Sequence, residues 1–381
     1  MRPVLDDIRH NPGADIVRYA RRRSDVLSLA SGETDTPTPD FITGAVGKAL
    51  ASGQPFYGPI LGRHELRQAI AEYYRETHGI DLPLERVIVT SSGTSAIHFS
   101  LLSTIEKGDE VVAVFPIWKN LLGAIKLQQA KVHGVDLRPG QDGAAWHLDL
   151  NELFAAVTPR TRAIVLNSPN NPTGWVMSRG DMKTVMDFAR QRGIWVISDE
   201  VYGRLEYGSV RAPSFLDVSL PGDRLFIVNS FSKNWAMTGW RLGWLIAPAA
   251  AEARIYDLVL YDNMGPPNFT QGGGVQALKH GEGFIAEQKI RFERNADLVH
   301  EMFDRLGIEA IRPKSSFYAF FRTEKEPDCM EFAKRLIDDH GLGLTPGCAF
   351  GRNFTGYMRL CYAVSEPRLD DALGRLQAAL V

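Results

Sequence analysis

Lys233 stands in Ser230-Phe-Ser-Lys233, just past the apolar run 225–228. The run reads as a buried strand, so the polar cluster after it falls where a core strand would simply turn. A lysine at a strand end is well placed to form a Schiff base with a carbonyl compound. Ser230 and Ser232 precede it, and Arg241 follows within the same stretch, a set that suits a phosphate. An aldehyde carrying a phosphate is pyridoxal phosphate. A single surface lysine in a loop would look the same, so the weight falls on what other strand ends carry.

Several carry complementary groups. After the run 193–197 come Ser198-Asp199-Glu200-Val201-Tyr202. Asp199 can keep a pyridine nitrogen protonated, the state in which the ring is a good electron sink. Tyr202 and, from the loop after 162–166, Asn171 can hydrogen-bond the phenolic oxygen of such a ring. Trp118 offers a flat face for stacking, although a lone tryptophan is more often core. Ser92, Gly93 and Thr94 open a helical pattern and can cup a phosphate with backbone N–H groups, or simply cap the helix. Tyr57, in the loop 54–62, either reaches a phosphate or packs as a loop aromatic. Gly32 would let a ligand approach the backbone closely. Arg359 lies on an apolar strand pattern, where it pairs with a substrate carboxylate or makes a structural salt bridge. Lys233, once displaced by an amino acid, can shuttle the Cα proton.

Strand patterns at 87–90, 110–114, 162–166, 193–197 and 225–228 alternate with helical ones at 95–105, 118–130, 150–156 and 178–192. Such alternation implies an α/β fold, a mostly parallel sheet sandwiched by helices. Ligands in these folds gather outside the carboxyl ends of the strands, where the polar groups fall here. A helical pattern over 275–306, strands at 316–321 and 357–362, and helices at 328–339 and 367–380 describe a smaller α+β domain. The expected division is a large cofactor-binding domain over 45–272 and a small domain of 1–44 with 273–381. Gly272–Gly274 reads as a flexible joint.

The chain has 381 residues, 44% hydrophobic and 23% charged, with a net charge of −2. That length allows two cores, and the charge balance points away from nucleic acid or an anionic membrane as partner. No apolar run approaches the ~20 residues of a membrane span, and the first residues carry charges unlike a secretory leader. The three cysteines, Cys329, Cys348 and Cys361, lack metal-ligand spacing, so no metal is expected. Reduced thiols and a cytoplasmic setting are expected instead.

With these residues in this order, the chain resembles the class I/II aminotransferases of the fold-type I pyridoxal-phosphate enzymes, the aspartate aminotransferase-like group. The likeness runs from about Leu27 to Ala363. It rests on Ser230-Phe-Ser-Lys233 with Gly239-Trp-Arg241, on Asn170-Asn-Pro-Thr-Gly174 and on Asp199-Glu-Val-Tyr202. The resemblance implies Lys233 as the Schiff-base lysine, Asp199 at the pyridine nitrogen, and Asn171 with Tyr202 at the ring oxygen. It implies phosphate contacts from Ser92, Gly93, Thr94, Ser230 and Arg241, with Trp118 stacked on the ring. Tyr57 would reach the phosphate of a partner subunit, which makes a homodimer with shared sites. Arg359, Asn171 and the Gly32 backbone would hold the substrate α-carboxylate, and the peptide bond before Pro172 would be cis.

The implied reaction moves the amino group of an L-amino acid to a 2-oxo acid. The same scaffold also hosts β-elimination, cyclisation and oxidation of amino acids, which share the first proton removal. Thr34 and Ser316 stand where the family usually has Pro and Gly. The segment 260–268 follows no recognisable pattern, and no second cation marks a site for a distal carboxylate. The identity of the amino acid is therefore not legible.

Overall fold

The computed structural model describes residues 2–8, 10–53, 55–140, 143–323 and 328–380. Gln54, the expected first residue of the loop ending at Gly62, lies outside them. Seven segments form one sheet: β1 (Val87–Thr90), β2 (Glu110–Phe115), β3 (Lys131–Asp136), β4 (Thr161–Asn167), β5 (Trp195–Asp199), β6 (Leu225–Ser230) and β7 (Gly243–Ile246). Their order is β1-β7-β6-β5-β4-β2-β3. Only β7 runs antiparallel to its neighbours. Helices cover both faces, so the inner strands are buried at nearly every position and read as continuous apolar runs. This is the expected α/β architecture.

The five expected strands all form. The one expected at 193–197 begins later, because Gly193 takes a left-handed conformation (φ 65°) that ends the helix Arg179–Arg192. Two strands have no counterpart in the pattern read above. β3 lies at the sheet edge with most positions exposed or half-exposed, and it lacks an apolar run. β7 is only four residues long and follows the lysine loop directly.

A second, smaller antiparallel sheet comprises β8 (Tyr318–Arg322), β9 (Thr345–Pro346) and β10 (Tyr357–Cys361), in the order β8-β10-β9. The helices Glu282–Leu306, Cys329–His340 and Glu366–Leu380 pack with it around a separate apolar core. The N-terminal segment joins this unit: Leu27–Ser28 pairs in parallel with Leu342–Gly343, and Ile16 and Ala20 enter the same core.

Two expectations about the connecting region are corrected. The helical pattern over 275–306 is two helices, Thr270–His280 and Glu282–Leu306, parted at Gly281. A Cβ at Gly281 would come within 2.3 Å of Trp235 Nε1, so the backbone turns directly against that indole. Gly272–Gly274 is no flexible joint but the interior of Thr270–His280. A Cβ at Gly273 would meet Trp240 at 2.9 Å, and one at Gly274 would meet Leu242 at 2.8 Å. These glycines let the helix press onto the residues that flank Lys233 and Arg241. Among the described residues, no helix is long and apolar enough to cross a membrane.

Candidate active site

The carboxyl ends of β4, β5 and β6 lie side by side, with Asn167 opposite Asp199 and Asp199 opposite Val228. Each strand stays buried to its last residue, so the first polar side chains after it face a cavity rather than solvent. That cavity measures about 690 Å³ and also takes its wall from the small sheet and the N-terminal segment. Pockets for cofactors and small substrates span roughly 300–1,000 Å³.

β6 ends at Ser230, which caps the one-turn helix Phe231–Asn234 and accepts a hydrogen bond from the Ser232 amide (3.1 Å). Lys233 projects from that turn into the cavity, and its amine donates to the carbonyl of Gly32. Burial brings the amine down to about 8 from its ordinary value. Asp199, at the end of β5, is 4% exposed, and its carboxylate accepts one backbone bond, from the Val201 amide at 3.3 Å. Burial pushes this carboxyl up to about 7, against the pull of that N–H and of the Lys233 charge. Among the described residues, neither Lys233 nor Asp199 has an ion-pair partner within 4 Å.

Tyr202 follows Asp199 and is buried, with its hydroxyl 2.8 Å from that of Tyr318. The Asn171 amide is held by Asn167 Oδ1 (2.8 Å), which orients the loop after β4. Its peptide bond to Pro172 is cis. Asn171 Oδ1 accepts from Arg359 Nη1 at 3.0 Å. Arg359, on β10, is 5% exposed and donates to neutral oxygens only, those of Asn171, Thr345 and Ala30. Among the described residues its Nε has no partner, and Tyr318 and Phe350 lie at 4.4 and 5.1 Å from its guanidinium carbon. Among the same residues no carboxylate lies within salt-bridge distance of this buried cation, which disfavours the structural salt bridge.

Gly93 and Thr94, at the start of the helix Gly93–Leu102, line the cavity with Ser230, Trp118 and Arg241. Gly93 approaches the lysine turn closely, since a Cβ there would meet Ser230 Cβ at 3.2 Å. Arg241 adopts a left-handed backbone (φ 54°) and donates to the Thr238 carbonyl at 2.7 Å. Gly32 also lines the cavity, and a Cβ there would fall 2.2 Å from the Tyr318 hydroxyl.

Two expected residues do not line this cavity. Ser92 is buried off the cavity wall, its hydroxyl spent as a helix cap on the Ser95 amide (2.9 Å). Tyr57 is 82% exposed and lies outside its own chain's cavity. Ser232, one of the two hydroxyls read beside Lys233, lines the wall, and so do Asn167, Thr238, Tyr318 and Thr345, which had not been assigned to the site. Asn167 follows from the strand-end rule applied to the first residue after its run. Tyr318 and Thr345 come from strands of the other sheet, and only the docking of the two units brings them in.

The residues 24–376 match the model of the family described as aminotransferase class I and II. The chain is 33% identical to the aspartate aminotransferase of Pyrococcus horikoshii over 98% of its own length and 95% of that protein. It is 32% identical to aromatic-amino-acid aminotransferase 2 of Thermococcus litoralis, covering 93% of this chain and 92% of the other. The crystal structure of aspartate aminotransferase from Thermotoga maritima superposes with a TM-score of 0.92, 29% identity and full coverage of both chains. These relatives are all named for amino-group transfer, which disfavours β-elimination, cyclisation or oxidation as the reaction. A strand-end lysine, a buried carboxylate and a matching fold over the full length converge: the chain belongs to the aminotransferase class I and II family.

Proposed function

We propose that the cavity holds pyridoxal 5'-phosphate on Lys233 and that this chain moves the amino group of an L-amino acid to a 2-oxo acid there. One observation carries the reading. A buried amine and a buried carboxylate face the same cavity, each without an ion-pair partner among the described residues. Two unpartnered ionisable groups are costly to bury, so a ligand that engages both relieves the structure. The donor set fits this cofactor: an amine for the aldehyde, an acid for a ring nitrogen, an indole for the ring face, and hydroxyls with an arginine for the phosphate.

In this reading Asp199 faces the ring nitrogen, and Tyr202 with Asn171 serves the ring oxygen. Gly93, Thr94, Ser230 and Arg241 hold the phosphate, Ser92 supports them as the cap of their helix, and Trp118 covers the ring. When bound, the cofactor supplies an electron sink for the pair left at Cα. Lys233, its amine brought by burial to about 8 and so nearer neutral pH than an ordinary lysine, takes and returns the Cα proton. Arg359 lines the cavity and offers its charge, which no described carboxylate balances, to the α-carboxylate, with Asn171 and the Gly32 backbone beside it.

The domain division at 45–272 against 1–44 with 273–381 belongs to the same reading; the large sheet lies inside the first range and the small sheet inside the second. A homodimer with Tyr57 reaching the partner's phosphate is supported by the exposure of Tyr57. A cytoplasmic setting is supported by three free cysteines.

Lys233→Ala tests the assignment. Protein reconstituted with pyridoxal phosphate and dialysed should show the visible cofactor band, and the variant should not. A band that survives dialysis in the variant would mean that another amine holds the cofactor.

A further inference from the structure

Tyr318 enters β8 in the run Ser316-Phe-Tyr-Ala-Phe-Phe321, where every other aromatic is a phenylalanine. It is fully buried, and among the described residues its hydroxyl has one hydrogen-bond partner, Tyr202 at 2.8 Å. Its ring lies against the Arg359 guanidinium, 4.4 Å from carbon to centroid. Gly32, whose carbonyl takes the Lys233 amine, closes over the same hydroxyl so tightly that no Cβ fits. A phenylalanine would fill the core equally well, and a buried hydroxyl costs stability unless its bond is made. The hydroxyl therefore needs a reason to be there.

We propose that Tyr318 is a positioning residue that ties the carboxylate anchor Arg359 to the ring-oxygen partner Tyr202, so that filling the anchor alters the hydrogen bond Tyr202 offers. The inference rests on the roles given above to Tyr202 and Arg359. Its direction follows from hydrogen-bond supply. Tyr202 faces the cavity and has an acceptor there once the cofactor binds, whereas among the described residues Tyr318 has no acceptor but Tyr202. Tyr318 thus donates to Tyr202, and Tyr202 donates onward. The Arg359 charge at the ring face draws electron density from the phenol and makes it the stronger donor. Consecutive hydrogen bonds polarise one another, so the onward bond strengthens too. A carboxylate at Arg359 cancels part of that charge and relaxes the chain.

The test follows the pH midpoint of the visible band in enzyme reconstituted with pyridoxal phosphate. A donor on the ring oxygen stabilises the negative charge left there when the cofactor loses its proton, so weakening the donor raises the midpoint. Tyr318→Phe should raise it by about 0.3 pH units and Tyr202→Phe by more. The double variant should match Tyr202→Phe alone, because the Tyr318 hydroxyl acts only through Tyr202. Succinate, which brings a carboxylate but no amine, should shift the Tyr318→Phe midpoint less than that of the unmodified enzyme. Tyr318→Leu, which also removes the ring beneath Arg359, should raise the amino-acid KM about fivefold beyond the Phe variant. A Tyr318→Phe midpoint equal to wild type, or a double variant equal to the sum of the singles, overturns the relay. The Phe variant decides the matter even where Leu fails to fold. A wild-type protein with no visible band overturns the cofactor reading itself, and the relay with it.

Discussion

Arg359 is a cation set among neutral oxygens and two aromatic faces, with no acid among the described residues to balance it. Such a group is poised for an anion that arrives with the substrate. Arg359→Ala should raise the amino-acid KM on the order of a hundredfold while weakening cofactor binding far less. Steady-state kinetics beside a cofactor titration checks this, and an unchanged KM would place the anchor elsewhere. Asp199 gives a second prediction, on stability. Its folded carboxyl, at about 7, lies above its unfolded value of 3.8, so it contributes stability below that lower value and loses it as pH rises through about 7. The cofactor-free protein should therefore weaken between about pH 4 and 7. Asp199→Asn should flatten much of that slope, leaving the parallel share of Glu200, which burial also pushes up to about 7. Urea unfolding of the apoprotein at several pH values measures both.

At the scale of the element, the turn into β8 carries a local conflict. Ser316 holds φ 71°, a left-handed conformation in which a side chain crowds the backbone, and its buried hydroxyl has no hydrogen-bond partner among the described residues. The Tyr207 hydroxyl donates to the Ser316 carbonyl at 2.6 Å and helps keep the turn as it is. Glycine fits such a turn without strain, so Ser316→Gly should stabilise the protein by about 1 kcal/mol, even after the added freedom of the unfolded chain. Thermal unfolding reads the difference, and a lowered Tm would refute it. The other departure from the family pattern does have a partner: Thr34 Oγ1 accepts from Arg291 Nη2 at 2.6 Å. That bond fastens the loop bearing Gly32 to the helix Glu282–Leu306.

For the whole molecule, the proposed homodimer can be tested at the exposed aromatics. Phe56 and Tyr57 are 74% and 82% exposed, and Tyr261 is 85% exposed. Tyr261 stands near the end of the helix Glu252–Asp262, and the loop after that helix meets the loop of Phe56 and Tyr57, since a Cβ at Gly58 would meet Asn268 Oδ1 at 2.9 Å. Clustered exposed rings are the mark of an interaction surface. If Tyr57 completes the site of a partner subunit, Tyr57→Ala should weaken cofactor retention. Mixing it with Lys233→Ala chains should then restore a tight site in the hybrid dimer. That hybrid holds one intact constellation, with Lys233 from one subunit and Tyr57 from the other. Cofactor retention after subunit exchange is the measurement, and failure to recover would exclude a shared site.

The strands of the large sheet and the groups at their ends were legible because each is local. Apolar runs mark β1, β2, β4, β5 and β6, and the polar residue after each run falls at the sheet's carboxyl edge by chain connectivity. Lys233, Asp199, Asn171 and Tyr202 could thus be placed together from spacing alone. The edge strand β3 and the short β7 were not legible, because one is half-exposed and the other is recruited by its neighbours. The triple glycine reads as a hinge in one dimension, yet it is the contact face of a helix, since only packing shows what a missing Cβ makes room for. The burial that lowers the Lys233 amine and raises the Asp199 carboxyl, and the contact of Tyr318 with both Tyr202 and Arg359, join segments far apart in the chain. Local sequence determines which groups a strand end presents; their ionisation and partners depend on the environment that distant segments build around them, and that was left to the tertiary structure.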